Sequence, residues 1–214
     1  MSFPQPSVTD SFNRANETPI GGNWTQFSAA PNPMRLISNQ LTGTPGNYSK
    51  SIYTGTTISR PCDIYMTCVS GFTGGGLQEV DFLTTQASTS PWNGHRIYTN
   101  FPNSGSLQLR RISNGDFDYS LEFPTGQGDI INGDSFGVRM RIEEIEVWFK
   151  PSGGQWIMIG TSDDDLHRSG YPIAPGTDGL GAAIWDDVGF GAITVDVIRQ
   201  IDRSLYPKPN MRYP

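Results

Sequence analysis

From Pro61 to Ser70 the chain alternates without a break. Cys62, Ile64, Met66 and Cys68 fall on one side; Asp63, Tyr65, Thr67 and Val69 fall on the other. A period of two residues marks a β-strand, because successive side chains of a strand point to opposite faces. The period recurs. Val80 and Phe82 oppose Glu79 and Asp81. Phe117, Tyr119, Leu121 and Phe123 share a face, as do Phe136, Val138, Met140 and Ile142, with Arg139 and Arg141 turned away. Ile145, Val147 and Phe149 oppose Glu144, Glu146 and Trp148, and Ile193, Val195 and Val197 close the series. Asn114-Gly115 marks a tight hairpin, and Ser38-Asn39 is read as the turn of another between Met34 and Thr42. No segment sustains a 3.6-residue period. About a dozen short strands at spacings near ten residues predict an all-β antiparallel sandwich or jelly roll.

All-β sandwiches reach 214 residues as single domains. Residues 10–200 are read as one such domain, residues 1–9 as a Pro-rich extended arm, and residues 201–214 as a second arm. The net charge of −6, with no block of Lys or Arg, argues against a nucleic-acid partner. No apolar run approaches the roughly 20 residues of a membrane-spanning helix, so no membrane insertion is expected. The opening M-S-F-P-Q-P has neither the basic region nor the apolar run of a signal peptide. Release by cell lysis, as for a virus particle, is the expected route outward. Cys62 and Cys68, about 20 Å apart on one straight strand, are read as two small buried residues on one face.

The C-terminal arm, R-S-L-Y-P-K-P-N-M-R-Y-P at 203–214, cannot be helical with three prolines. It reads as a clamp on its own domain or a neighbouring subunit, with Tyr206, Pro207, Pro209, Arg212 and Tyr213 as the docking residues.

Several clusters carry chemistry. Glu79 and Asp81 share one strand face. Glu143, Glu144 and Glu146 read as a solvated face within reach of Arg139 and Arg141 across a hairpin. Asp163, Asp164 and Asp165, in an acidic loop running from 162 to 176, and Asp186 with Asp187 are candidate calcium ligands. Solvated loop is the competing reading of both. His95 and His167 have no metal-ligand spacing, so no zinc is expected. Trp92, His95, Arg96, Tyr98, Trp148 and Trp185 are the candidate lining of a sugar groove, since aromatic faces stack on pyranose rings.

D-S-F-N-R-A-N at 10–16 is followed by G-G-N-W at 21–24, an apolar hairpin at Met34–Thr42, a glycine-led strand at Gly74–Leu83, Gly105–Arg110, and G-L-G-A-A-I-W-D-D-V-G-F-G-A-I-T-V-D-V at 179–197. In this order they resemble concanavalin A-like (laminin-G-like) lectin/glucanase jelly rolls, a family frequent in bacteriophage virion proteins. The resemblance spans about residues 10–198. It departs near 190–196, where a Phe-Asp-Asp-Phe-like ending is replaced by Ala192 to Asp196. It implies that the last strand, Ile193–Val197, runs beside the first, which opens at Asp10. Glucanases of the family carry E-x-D-x-(x)-E. Glu79 and Asp81 match its start, but the third carboxylate is replaced by Leu83 or Thr84, which implies no hydrolase activity. The function expected is a non-catalytic structural component of a phage or virus particle (capsid decoration, tail or fibre protein) with glycan affinity. Its partners would be other virion proteins, further copies of itself and a cell-surface glycan. A free carbohydrate-binding lectin module is the alternative, and a β-glucanase comes after it.

Overall fold

The structure is a computed structural model that describes residues 2–27, 30–44, 46–70, 77–85, 92–100, 105–126, 130–178 and 184–193. The docking residues Tyr206, Pro207, Pro209, Arg212 and Tyr213 lie outside the described residues, as do 194–197 of the expected last strand. Regular structure among the described residues is all β, without a helix, so none of them forms a helix able to cross a membrane.

In chain order the strands are β1 (Val8–Asp10), β2 (Trp24–Gln26), β3 (Arg35–Ile37), β4 (Gln40–Thr42), β5 (Ser49–Tyr53), β6 (Ile58–Ser59), β7 (Cys62–Ser70), β8 (Leu77–Thr84), β9 (Gly94–Asn100), β10 (Ser106–Ser113), β11 (Asp116–Pro124), β12 (Ser135–Met140), β13 (Ile145–Lys150), β14 (Ile157–Ser162), β15 (Ser169–Asp178) and β16 (Ile184–Ala192). The first sheet runs β14-β13-β12-β7-β16-β4-β3, with β1 added to β16; the second runs β11-β10-β9-β8-β15-β5-β2, with β6 added to β15. Most of the inward sets named from the alternation meet between the sheets; Phe117 does not join Phe123 there, because the register of β10 and β11 shifts between Arg111 and Ile112 and leaves Phe117 exposed. Ile64, Met66, Val138, Met140, Val147 and Phe149 pack in one buried cluster with Val80, Phe82, Ile97, Leu107 and Leu109. Burying each large apolar side chain contributes roughly 1.5–3 kcal/mol, and this shared core is what joins the two sheets. Cys62 and Cys68 are both buried. Both hairpin cues hold: Ser38 and Asn39 turn with φ of 52° and 64°, and Asn114 and Gly115 with 54° and 87°.

The opening motif is organised by one carboxylate. Asp10 Oδ1 accepts from the Phe12 amide at 2.8 Å and from Arg14 Nη1 at 2.8 Å, while Oδ2 accepts from Trp24 Nε1 at 2.9 Å. These bonds hold Phe12 at a φ of 54°, a strained value for a bulky residue, and turn its ring into the core against Trp24, 5.8 Å between centroids. Phe12 is thus a turn residue, and the first strand lies before it. That strand, β1, pairs Val8 with Phe190, Thr9 with Gly189 and Asp10 with Val188. Its described partner is therefore β16, several residues ahead of the expected Ile193–Val197.

A further expectation is corrected. Residues 162–176 are not a continuous acidic loop, because β15 starts at Ser169 and lies between β8 and β5 in the second sheet. Its Pro172 and Pro175 disguise it, since proline removes a ladder donor. The β8 ladder skips Pro172, opposite Leu83 with its φ of 48°.

The N-terminal arm packs against the domain. Phe3 is only 6% exposed. Its ring lies flat on Trp148 (4.9 Å, 5°) and edge-on to Trp156 (4.8 Å, 81°) across the outer face of the first sheet. Ser2 O accepts from Arg139 Nη2 at 2.8 Å, the Gln5 amide donates to Asp63 Oδ2 at 2.8 Å, and the Ser7 amide donates to Phe190 O at 3.1 Å. The segment is a strap that roofs this face and runs on into β1.

Candidate functional site

Alternation along β8 sends Val80 and Phe82 into the core and Glu79 and Asp81 onto the outer face of the second sheet. The pairing with β9 sets Arg96 opposite Asp81 and Tyr98 opposite Glu79. On the other side Gly176 of β15 lies between Glu79 and Lys50 of β5. A Cβ at Gly176 would sit 3.0 Å from Glu79 Oε1 and 3.3 Å from Lys50 Cδ, so glycine allows the two side chains to meet above it.

They meet as a closed cluster. Lys50 Nζ donates to Glu79 Oε1 at 2.7 Å and contacts Asp81 Oδ2. Arg96 Nε donates to Asp81 Oδ1 at 2.6 Å, and its Nη1 pairs with Glu79 Oε2. Tyr48 Oη donates to Glu79 Oε1 at 2.6 Å. Glu79 is 4% exposed and Asp81 0%. Phe27 and Trp92 roof the cluster, each ring centroid 5.0 Å from Lys50 Nζ, and Arg96 lies 5.3 Å from the Trp92 ring. Burial alone would raise the Glu79 pKa, but Lys50 and Arg96 outweigh it and hold the carboxyl below its usual range. Burial, and then the charge of Glu79, pushes the Tyr48 phenol far above its usual range. Two carboxylates are thus paired with two basic side chains and covered.

Beyond this roof the same face opens. Arg110 of β10 lies with its Cζ 4.0 Å from the Tyr98 ring centroid and 4.9 Å from that of Phe117, on β11. Its Nη2 donates to Gln108 Oε1 at 2.7 Å. Phe117 is 51% exposed. Arg110 takes part in none of the ion pairs among the described residues. An aromatic platform with a clamped guanidinium beside it is the open, chemically distinctive part of this face.

The six residues read as a sugar groove do not converge. Trp92, Arg96 and Tyr98 share the outer face of the second sheet. His95 points the opposite way, since its strand partner is the core residue Phe82. Trp148 lies on the first sheet beneath Phe3 and donates from Nε1 to Glu146 Oε2 at 3.0 Å. Trp185 is 0% exposed and packs edge-on against Phe136, centroids 5.7 Å apart. A side chain so enclosed cannot stack on a sugar, so Trp185 belongs to the core.

His95 belongs to a buried polar pocket. Its Nε2 lies 3.4 Å from Arg60 Nη2 and 3.4 Å from Asp164 Oδ2, and its ring is 5.4 Å from that of His167. Burial, helped by the Arg60 charge and opposed by Asp164, brings the His95 pKa down to about 4, so the ring is neutral at physiological pH. Asp164 is turned inward. Its Oδ1 accepts from the Leu166 amide at 3.0 Å and lies 3.3 Å from Arg111 Nη1. Asp165 pairs with Arg168 on the surface, and Asp163 is exposed. The three aspartates therefore diverge, and no group of three or more metal-ligating side chains occurs among the described residues. Glu146, read as solvated, is buried and paired with Arg141, whereas Arg139 pairs with Asp63 at 2.8 Å.

No protein-family model matches the chain, and no curated protein does. Solved structures do. The chain is similar to carbohydrate binding module CBM66 from Bacillus subtilis (11% identity, TM-score 0.59, 78% of this chain and 94% of that one). It is also similar to a Bacillus licheniformis beta-glucanase (13%, 0.60, 87% and 98%) and to a legume lectin-like domain from Entamoeba histolytica (9%, 0.59, 80% and 91%). At these identities the likeness establishes the fold: a concanavalin A-like jelly-roll sandwich, as the opening motif implied.

Proposed function

We propose that this chain is a non-catalytic carbohydrate-binding sandwich whose glycan site is the open pair of Arg110 and Phe117, backed by the buried ring of Tyr98. The observation that carries the reading is the division of one sheet face into a closed half and an open half. A retaining glycosidase needs a protonated carboxyl and a nucleophilic carboxylate about 5–5.5 Å apart and open to substrate. Glu79 is held ionised by Lys50 and Arg96, and both Glu79 and Asp81 are paired with these cations and sealed beneath Phe27 and Trp92. Phe117 and Arg110, by contrast, offer an apolar ring and hydrogen-bond donors side by side, the combination that takes a sugar face and its hydroxyls. That similar sandwiches include a carbohydrate binding module and a lectin-like domain supports the same reading. The opening-motif resemblance extends it to a setting, a virus-particle component that holds a cell-surface glycan.

An oligosaccharide array, followed by calorimetry on the best ligand, tests the proposal. Binding should occur without any release of reducing ends, and Phe117→Ala should weaken it at least about tenfold, or 1.4 kcal/mol. Hydrolysis of a β-glucan that Glu79→Gln abolishes, or binding indifferent to Phe117 and Arg110, would contradict it.

A further inference from the structure

The chain writes one short pattern twice: Phe3-Pro4-Gln5-Pro6 near its start and Tyr206-Pro207-Lys208-Pro209 near its end. The structure shows what holds the first. We propose that the outer face of the first sheet is a recognition groove for an aromatic-Pro-X-Pro segment, and that Tyr206 to Pro209 of a second copy is its intermolecular ligand.

The groove is built for this pattern. The aromatic residue sits on Trp148 and against Trp156, with Arg139 Cζ 5.6 Å from its ring. Acceptors then stand at alternate residues: Asp63 Oδ2 takes the Gln5 amide and Phe190 O takes the Ser7 amide. Between them Pro4 and Pro6 are half-buried, and proline is the residue that brings no N–H needing a partner there. Laid on the same register, Tyr206 replaces Phe3, the Lys208 amide meets Asp63, and the Asn210 amide meets Phe190. The floor is glycine where the strap comes closest. A Cβ at Gly137 would lie 2.9 Å from Phe3 Cζ, and one at Gly191 2.4 Å from the Ser7 nitrogen.

Charge favours the exchange. Residues 203–214 hold Arg203, Lys208 and Arg212 and no acidic residue, so residues 1–202 carry twelve basic against 21 acidic side chains, a net −9. A basic segment is drawn to an acidic body. The strap has the advantage of belonging to the same chain, so the exchange depends on the added charge attraction and on high protein concentration.

The test uses the intact chain and a synthetic peptide of residues 203–214. Tryptophan fluorescence of Trp148 and Trp156 or calorimetry reports binding. The peptide should bind the Phe3→Ala chain at least about tenfold tighter than wild type, since no strap has to be displaced. A Tyr206→Ala peptide and a scrambled peptide of equal charge should not bind. By light scattering the wild-type chain should self-associate with concentration. Tyr206→Ala should abolish this and Phe3→Tyr should keep it. Should Phe3→Ala fail to fold, the Tyr206→Ala chain reads the same contact without touching the described core. Equal binding of the scrambled peptide would reduce the effect to charge and overturn the groove. A wild-type chain monomeric at every concentration would overturn the second copy as its occupant.

Discussion

The two sheets carry the same kinds of side chain on their outer faces and use them differently. On the first, Arg139, Asp63, Trp148 and Trp156 are covered by the chain's own residues 2–7. On the second, Lys50, Arg96, Glu79 and Asp81 are sealed by Phe27 and Trp92, while Arg110 and Phe117 stay open beside the buried Tyr98 ring. Buried charges must be paired, because an isolated one loses its hydration without recompense. Each face meets that requirement with an arginine-carboxylate contact, but among the described residues the second also leaves Phe117 exposed beside Arg110, a guanidinium in no ion pair. Similar composition on two faces therefore does not mean two binding sites: what decides is which groups remain unroofed.

The largest effect should come from breaking the closed half of the second face. Lys50→Met leaves Glu79 and Asp81 with Arg96 alone and should cost about 3–5 kcal/mol in denaturant unfolding. A loss below about 1 kcal/mol would mean that water reaches the cluster and that the roof is not closed.

The buried pocket of His95 and His167 gives the next. Folding holds His95 neutral with a pKa near 4, against an ordinary 6.5, and burial lowers that of His167 as well. Below pH 6.5 the unfolded chain takes up protons that the folded chain refuses. Stability should therefore fall as pH drops from 6.5 to about 4, by on the order of 3 kcal/mol for His95. The contribution of Asp164, whose carboxyl is held below the usual range, disappears at lower pH still. His95→Gln should flatten the slope between pH 6.5 and 4. An unchanged slope would place the titrating group elsewhere.

On the first face, Phe3→Ala should cost roughly 2–3 kcal/mol, the burial of one aromatic side chain, and should make residues 2–7 accessible to a protease while β7, β12 and β16 stay protected. If proteolysis were unchanged, the hydrogen bonds of Ser2, Gln5 and Ser7 would hold the strap without the ring. The smallest effect on stability belongs to Phe117→Ala. It should stay within about 0.5 kcal/mol of wild type, as surface substitutions do, because that ring is half open to solvent.

How far the chain could be read from its letters follows from how local each signal is. The two-residue period at Cys62–Cys68 and Phe136–Met140 marks strands because burial acts on every second side chain. Ser38-Asn39 and Asn114-Gly115 mark turns because so few residues accept positive φ. Strand β15 was hidden because Pro172 and Pro175 are the residues a sheet interior normally excludes, and the strap was hidden because a proline-rich start looks like a tail. For the site, period two alone placed Glu79 and Asp81 on one face. It could not show that Lys50, 29 residues away from Glu79, reaches across Gly176 to neutralise them. Nor does alternation distinguish the sheet to which a tryptophan belongs, which is why Trp148 and Trp185 were grouped with Trp92. The pairing of Arg110 with Phe117 was within reach, since the Asn114-Gly115 turn folds β11 back onto β10.

Calorimetry of the best glycan ligand against the Phe117→Ala and Phe3→Ala chains tests the central claim most directly. The account predicts an affinity loss of at least about tenfold for Phe117→Ala and wild-type affinity for Phe3→Ala. Loss confined to Phe3→Ala would place the sugar on the first face and contradict it.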